Sequence, residues 1–143
     1  MHSDLARRCD VIEECYEYLL AYASMGVAGE EGSGKGSQVR VFLERLSDSL
    51  SGLSEAYSAG FAKAGLPQGS YSPFMAVLER DARDAHAAVE ITRAQPVISS
   101  QLIDNLNASI HLRALLTDLF LVDEVVKIQF GPQAVANESA AGE

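Results

Sequence analysis

Residues 100–130 read SQLIDNLNASIHLRALLTDLFLVDEVVKIQF, and this stretch decides the fold. Its apolar residues recur every three or four positions on two sides, which is typical of a helix covered on more than one face. The helix is predicted to begin at Ser99 or Ser100 and to end at Phe130, because Gly131 and Pro132 cannot continue it. One seam contains Leu112, Leu115, Leu119, Val122 and Val126; the other contains Leu102, Leu106, Leu116 and Phe120.

The first predicted helix, from Asp4 to about Met25, shows the same doubling. Its first stripe contains Leu5, Cys9, Ile12, Tyr16, Leu19 and Ala23, and its second contains Val11, Cys15, Tyr18, Tyr22 and Met25. A surface helix of a small protein normally needs one apolar stripe. We therefore expect the second stripe, together with the seam from Leu112 to Val126, to form the interface of a homodimer. Tyrosine and methionine are enriched where proteins meet.

Two further helices complete the predicted fold. The second begins after Ser37 and ends near Ala64, and the third begins at Ser72-Pro73 and runs to about Gln95. No alternating strand pattern competes with the helices. Short turns between long helices favour antiparallel neighbours, so we expect an all-α, up-down-up-down four-helix bundle over residues 1–132. Residues 133–143 are small and polar, and we expect a flexible C-terminal tail.

Composition narrows the classes of partner. The 143 residues carry a formal charge of −9, which disfavours nucleic acid and anionic membrane surfaces as partners because both attract Lys and Arg. A second protein is compatible with this charge. The sequence shows neither the basic and apolar start of a signal peptide nor an apolar run of membrane-spanning length. We therefore expect a cytoplasmic protein in which Cys9 and Cys15 are reduced.

The segment from Gly29 to Gly36 resembles a phosphate-binding loop only in part of its sequence motif. It reads GEEGSGKG, so Gly36 stands where the magnesium-binding Ser or Thr should follow Lys35. A phosphate-binding loop also joins a buried strand to a helix, whereas a helix precedes this one. We expect a solvated connection that binds no nucleotide.

Metal and nucleophile motifs are also incomplete. Di-iron bundles use Glu-x-x-His pairs, but Arg83 lies three residues before His86, and Ala108 lies three before His111. The cysteines have no histidine or lysine at helical spacing to lower a thiol pKa. We therefore predict no catalytic residues, no metal and no cofactor.

One polar pair interrupts the apolar stripes. Asp81 falls within the stripe of the third helix, and Arg113 falls within a seam of the fourth. If these helices fold back around Val97, the two residues meet and form a buried ion pair. The alternative is that they line the polar floor of a ligand pocket.

These patterns favour a non-enzymatic function. We expect a small acidic scaffold, adaptor or chaperone-like protein that binds itself and another protein. The alternative is a bundle that binds a metal or a small ligand, with His86, Glu90, Asp81 and Arg113 as its candidate residues.

Overall fold

In a computed structural model the chain is all-α, as the apolar spacing predicts, and the structure describes residues 4–29, 37–65 and 67–130. These residues form six helices and no strand. The predicted tail and most of the glycine-rich loop lie outside the described residues. The helices are α1 (Asp4–Ser24), α2 (Ser37–Leu50), α3 (Leu53–Ala64), α4 (Gln68–Arg93), α5 (Ser100–Ala108) and α6 (His111–Phe130).

The predicted second helix is divided into α2 and α3 at Gly52. This glycine has a φ of 81°, a left-handed conformation that glycine adopts without a steric penalty. Arg8 of α1 donates hydrogen bonds to the carbonyl oxygens of Asp48, Ser49 and Ser51 at the end of α2. Carbonyls in the last turn of a helix lack intrahelical partners, so Arg8 satisfies groups that the break would leave open.

The predicted last helix is divided into α5 and α6 at Ile110. Among the described residues, Ile110 is the one non-glycine with a positive φ, at 64°. The Ser109 amide still closes α5 by donating to Asn105 (3.0 Å), while the Ala114 amide opens α6 by donating to the Ile110 carbonyl (2.7 Å). The prediction of one continuous helix is therefore wrong here, and α6 begins as a separate helix.

The core is built around α1, which packs against α2, α3, α5 and α6. Because partners surround it, α1 buries residues from both of its stripes, including Ile12, Cys15 and Tyr22 at 0% exposure. The Tyr22 hydroxyl donates to the Ile98 carbonyl (2.7 Å), and the Ser100 hydroxyl donates to the Tyr22 carbonyl (2.7 Å). These bonds tie the end of α1 to the start of α5. On the other side of the core, α4 packs against α2, α3, α5 and α6.

The backbone of Ile110 yields a stability prediction. A left-handed conformation costs an L-residue about 1–2 kcal/mol, and asparagine tolerates this conformation better than isoleucine. We expect Ile110→Asn to raise the free energy of unfolding by about 1 kcal/mol in urea titrations at low protein concentration. Val41 is the matched control, since it is 56% exposed against 58% for Ile110 but lies inside α2. Val41→Asn should leave stability unchanged or lower, and an Ile110→Asn that is less stable than wild type would contradict the account.

Candidate functional site: the outer face of α6 and the polar groups of α4

The residues predicted to form a dimer interface lie mostly inside a single chain. Met25, at 49% exposure, is the exception. Six of the ten are buried in the core and three more pack against it, so the apolar surplus inferred from the sequence is largely covered within the chain. The buried six are Cys15, Tyr22, Leu112, Leu115, Leu119 and Val122, and the partly buried three are Val11, Tyr18 and Val126. These residues therefore do not by themselves require a second copy.

A third apolar stripe runs along α6 on the side away from the core, and we call it the outer stripe. Its large members are exposed: Ile110 at 58%, Leu121 at 51% and Ile128 at 76%. Phe120 lies beside it at 55% exposure. The outer stripe consists of Ile110, Ala114, Thr117, Leu121, Val125 and Ile128. Its spacing of three and four residues is present in the sequence, but the two seams of the same helix contain more large apolar residues and dominate the pattern.

The outer stripe begins at the strained residue. Ile110 combines a left-handed backbone with an exposed branched side chain, so neither its conformation nor its surface favours the folded monomer. Residues held in such conformations concentrate at functional sites. We therefore treat this end of the outer stripe as part of the candidate site.

The predicted Asp81–Arg113 pair is not formed. Arg113 is exposed, while Asp81 is half-buried. The acidic group that approaches Asp81 belongs to Asp118 of α6. The expected pairing assumed a continuous helix folded back around Val97, and the break at Ile110 shifts the register of α6 against α4.

Asp118 lies in the seam between α4 and α6 with a buried carboxyl oxygen. Its Oδ2 atom is buried and has no hydrogen-bond partner among the described residues. Burial raises the pKa of Asp118 to about 7, and hydrogen bonding and repulsion from Asp81 add to the increase, while Arg80 opposes it. The seam between α4 and α6 therefore holds a carboxyl group that stays protonated in acid and ionises near neutral pH.

A second polar cluster joins α2 to α4. The Ser47 hydroxyl lies 3.0 Å from His86 Nε2 and donates a short hydrogen bond to Glu90. Arg93 also pairs with Glu90, at 2.9 Å, and the pKa of Glu90 is lowered, first by the Ser47 hydrogen bond. A catalytic triad needs the acid and the hydroxyl on opposite ring nitrogens. Here Glu90 Oε1 lies 3.3 Å from the same Nε2 atom that faces Ser47, so the cluster is not arranged as a relay.

The candidates for ligand binding do not converge on one cavity. His86 lines a cavity of about 240 Å³ with Glu55, Glu79 and Arg83, whereas Glu90, Asp81 and Arg113 are not among its lining residues. A second cavity of about 460 Å³ is lined by apolar and neutral residues, including Ile91, Pro96, Val97 and Leu102. Within residues 4–29, 37–65 and 67–130, no three His, Cys, Asp or Glu side chains gather as a metal ion would require.

The two cysteines are free thiols, of which Cys15 is buried and Cys9 is half-buried. Cys15 is 0% exposed, and burial raises the pKa of both Cys9 and Cys15 to about 11. Cys9 Sγ lies 3.5 Å from the Tyr57 hydroxyl. Thiolates are the reactive form of cysteine, so neither group is set up as a nucleophile.

None of the helices formed by the described residues is both long and apolar enough to cross a membrane. Comparisons with protein-family models, with curated proteins and with solved structures found no match. The candidate site therefore depends on the geometry of the chain itself.

Asp118 makes stability depend on pH in a defined direction. Its pKa is about 7 in the folded chain against an ordinary value of 3.8, so the folded state binds the proton more tightly than the unfolded state. The contribution is fully present below about pH 4 and is lost as pH rises through about 7. We expect Asp118→Asn to remove this decline in urea titrations between pH 4 and 8.

The exposed residue Asp84, one turn from Asp81 on α4, supplies the control. Asp84→Asn should keep the wild-type pH profile. A profile for Asp118→Asn that runs parallel to wild type across this range would contradict the buried carboxyl.

Proposed function

We propose that this chain is a non-enzymatic protein-interaction module that acts as a homo-oligomer and binds through the outer stripe of α6. The observation that carries the proposal is the exposure of Leu121 and Ile128 on α6, and of Ile110 directly before it, while the opposite side of α6 is in the core. Neighbouring apolar side chains left on the outside of a folded chain often mark a site of protein–protein interaction. The function fits a scaffold or adaptor, for which binding another protein is the activity.

The energetics favour a reversible complex. Ile110, Phe120, Leu121 and Ile128 are between 51% and 76% exposed. Covering the exposed parts of these side chains in two copies contributes roughly 7–14 kcal/mol, at 1.5–3 kcal/mol for each full burial. Association itself costs about 4–15 kcal/mol. The two ranges overlap and the formal charge of −9 on each copy adds repulsion, so this surface suits a weak, reversible complex rather than a permanent dimer.

We also propose an antiparallel four-helix bundle. In this bundle α2 and α3 together count as one interrupted helix, α5 and α6 together count as another, and α1 and α4 are the remaining two. Contacts along α1 support it, because Glu14 pairs with Arg45 at 2.9 Å and the Tyr18 ring stacks 4.0 Å from Phe42. From the first contact to the second, the residue number rises along α1 and falls along α2, as it does between antiparallel helices. We place the chain in the cytoplasm, where its free thiols would stay reduced.

A second candidate function is the binding of a small polar ligand. It is favoured by the cavity of about 240 Å³ where His86 meets Glu55, Glu79 and Arg83. Native mass spectrometry separates the two functions, since it reports both the number of subunits and any retained ligand.

Self-association is tested by placing a charge on the outer stripe. Sedimentation equilibrium at tens of micromolar should show wild type as a reversible dimer of 15.3 kDa chains and Leu121→Glu as a monomer. Val41→Glu is the matched control, because Val41 is similarly exposed at 56% but lies on α2. It should associate as wild type does. A monomeric wild type would contradict self-association, and equal dimers in all three proteins would move the interface away from α6.

A further inference from the structure

We infer that two copies of this chain pair their α6 helices in antiparallel orientation about a two-fold axis near residue 119, with Arg113 of each copy facing Glu124 of the other. This inference depends on the self-association proposed above. It adds the partner, its orientation and the charges that select it.

The outer stripe is nearly symmetric about residue 119. Ile110 and Ile128 lie nine residues to either side, and Thr117 and Leu121 lie two residues to either side. A two-fold axis joins a surface to the same surface on its copy. In an antiparallel pair, Ile110 therefore meets Ile128 of the second copy at both ends. Ile128 has the greatest exposed fraction among the large apolar side chains described, at 76%.

The centre of the outer stripe suits close approach of two helices. Ala114 and Thr117 are small, and Leu121 of one copy would lie over Thr117 of the other. Such alternation of a small and a large residue lets facing side chains interdigitate. The apolar contact alone, however, would allow either orientation.

Charge selects the antiparallel orientation. With 3.6 residues to a turn, Arg113 and Glu124 fall on the same flank of the outer stripe. Arg113 lies six residues before position 119 and Glu124 lies five after it, so an antiparallel pair brings them opposite each other to within one residue. In a parallel pair this flank of one copy would lie on the opposite side of the interface from the same flank of the other copy, so Arg113 and Glu124 would not meet. Flanking charges of this kind determine orientation in paired helices.

Both charged groups are available for this contact. Arg113 and Glu124 are exposed, and neither forms an ion pair with another of the described residues. Ile110 supplies the strained end of the same surface, with a φ of 64°. A residue that destabilises the monomer is explained if its side chain is buried against Ile128 of the second copy.

The test is a charge exchange measured by sedimentation equilibrium. Arg113→Glu and Glu124→Arg each replace two attractive contacts by two repulsive ones, and each should weaken self-association about tenfold. A one-to-one mixture of the two variants should regain wild-type affinity, and native mass spectrometry should find mostly the mixed dimer. The double variant, R113E with E124R, should also regain wild-type affinity.

Matched exchanges on other helices provide the control. Glu44→Arg on α2 and Arg83→Glu on α4 alter exposed charges away from the outer stripe and should leave affinity unchanged. Circular dichroism confirms that each variant folds. Single variants that weaken association without recovery in the mixture would overturn the antiparallel pairing.

The outcomes separate this inference from the proposed function. If wild type dimerises and Leu121→Glu abolishes the dimer while the charge exchanges have no effect, the outer stripe is the interface but the pairing inferred here is wrong. If wild type is a monomer, both fail. If deleting residues 131–143 creates a dimer from a monomeric wild type, the chain's own C-terminal segment is the occupant, and the pairing is again overturned.

Discussion

The chain turns at Ile110 in a conformation that a branched side chain resists, and the arrangement of α6 depends on this turn. Its φ of 64° separates α5 from α6, which begins at His111. The turn then decides which residues of α6 reach α4, which join the core and which face solvent. Leu112, Leu115 and Leu119 enter the core, whereas Ile110, Leu121 and Ile128 are left outside. An exposed apolar stripe is the consequence.

The same turn accounts for the buried carboxyl group of Asp118. Because α6 is shifted against α4, Asp81 meets the carboxyl of Asp118 in place of the guanidinium of Arg113. A like-charged pair next to the core disfavours ionisation, so the seam is strongest when Asp118 is protonated. Arg113 is thereby released to the surface, where it can pair with a second molecule. The fold therefore lacks an Asp81–Arg113 ion pair within the chain, and Arg113 remains exposed beside the outer stripe.

The helical class could be predicted from the sequence because spacing by three and four residues is a local signal, and α1 and α4 follow it over most of their length. The break at Gly52 had a visible cause in a glycine, although glycine inside a helical pattern does not always end it. The break at Ile110 had none, since isoleucine resists the conformation that it adopts and only packing imposes it. The prediction of an Asp81–Arg113 pair was wrong for this reason. It counted residues along one continuous helix, and the break at Ile110 changes which residues of α6 lie opposite α4. The double stripes were read correctly as a sign of burial on two faces, but α1 is covered by its own chain.

The central claim is that the outer stripe of α6 pairs with itself in antiparallel orientation. Distances between two copies in solution test this claim most directly. Spin labels placed at Gln129, near the end of α6, can be measured by double electron–electron resonance in a variant whose native cysteines are replaced by alanine. An antiparallel pair about residue 119 separates the two labelled backbones by about 30 Å, at 1.5 Å for each residue along the axis. Labels at Thr117 would lie about 6 Å apart along the axis and about 8–10 Å apart across it, so this short separation should broaden the continuous-wave spectrum of the dimer. A short distance at Gln129 would show a parallel pair, and no intermolecular distance at either position under dimer-forming conditions would contradict an interface on α6.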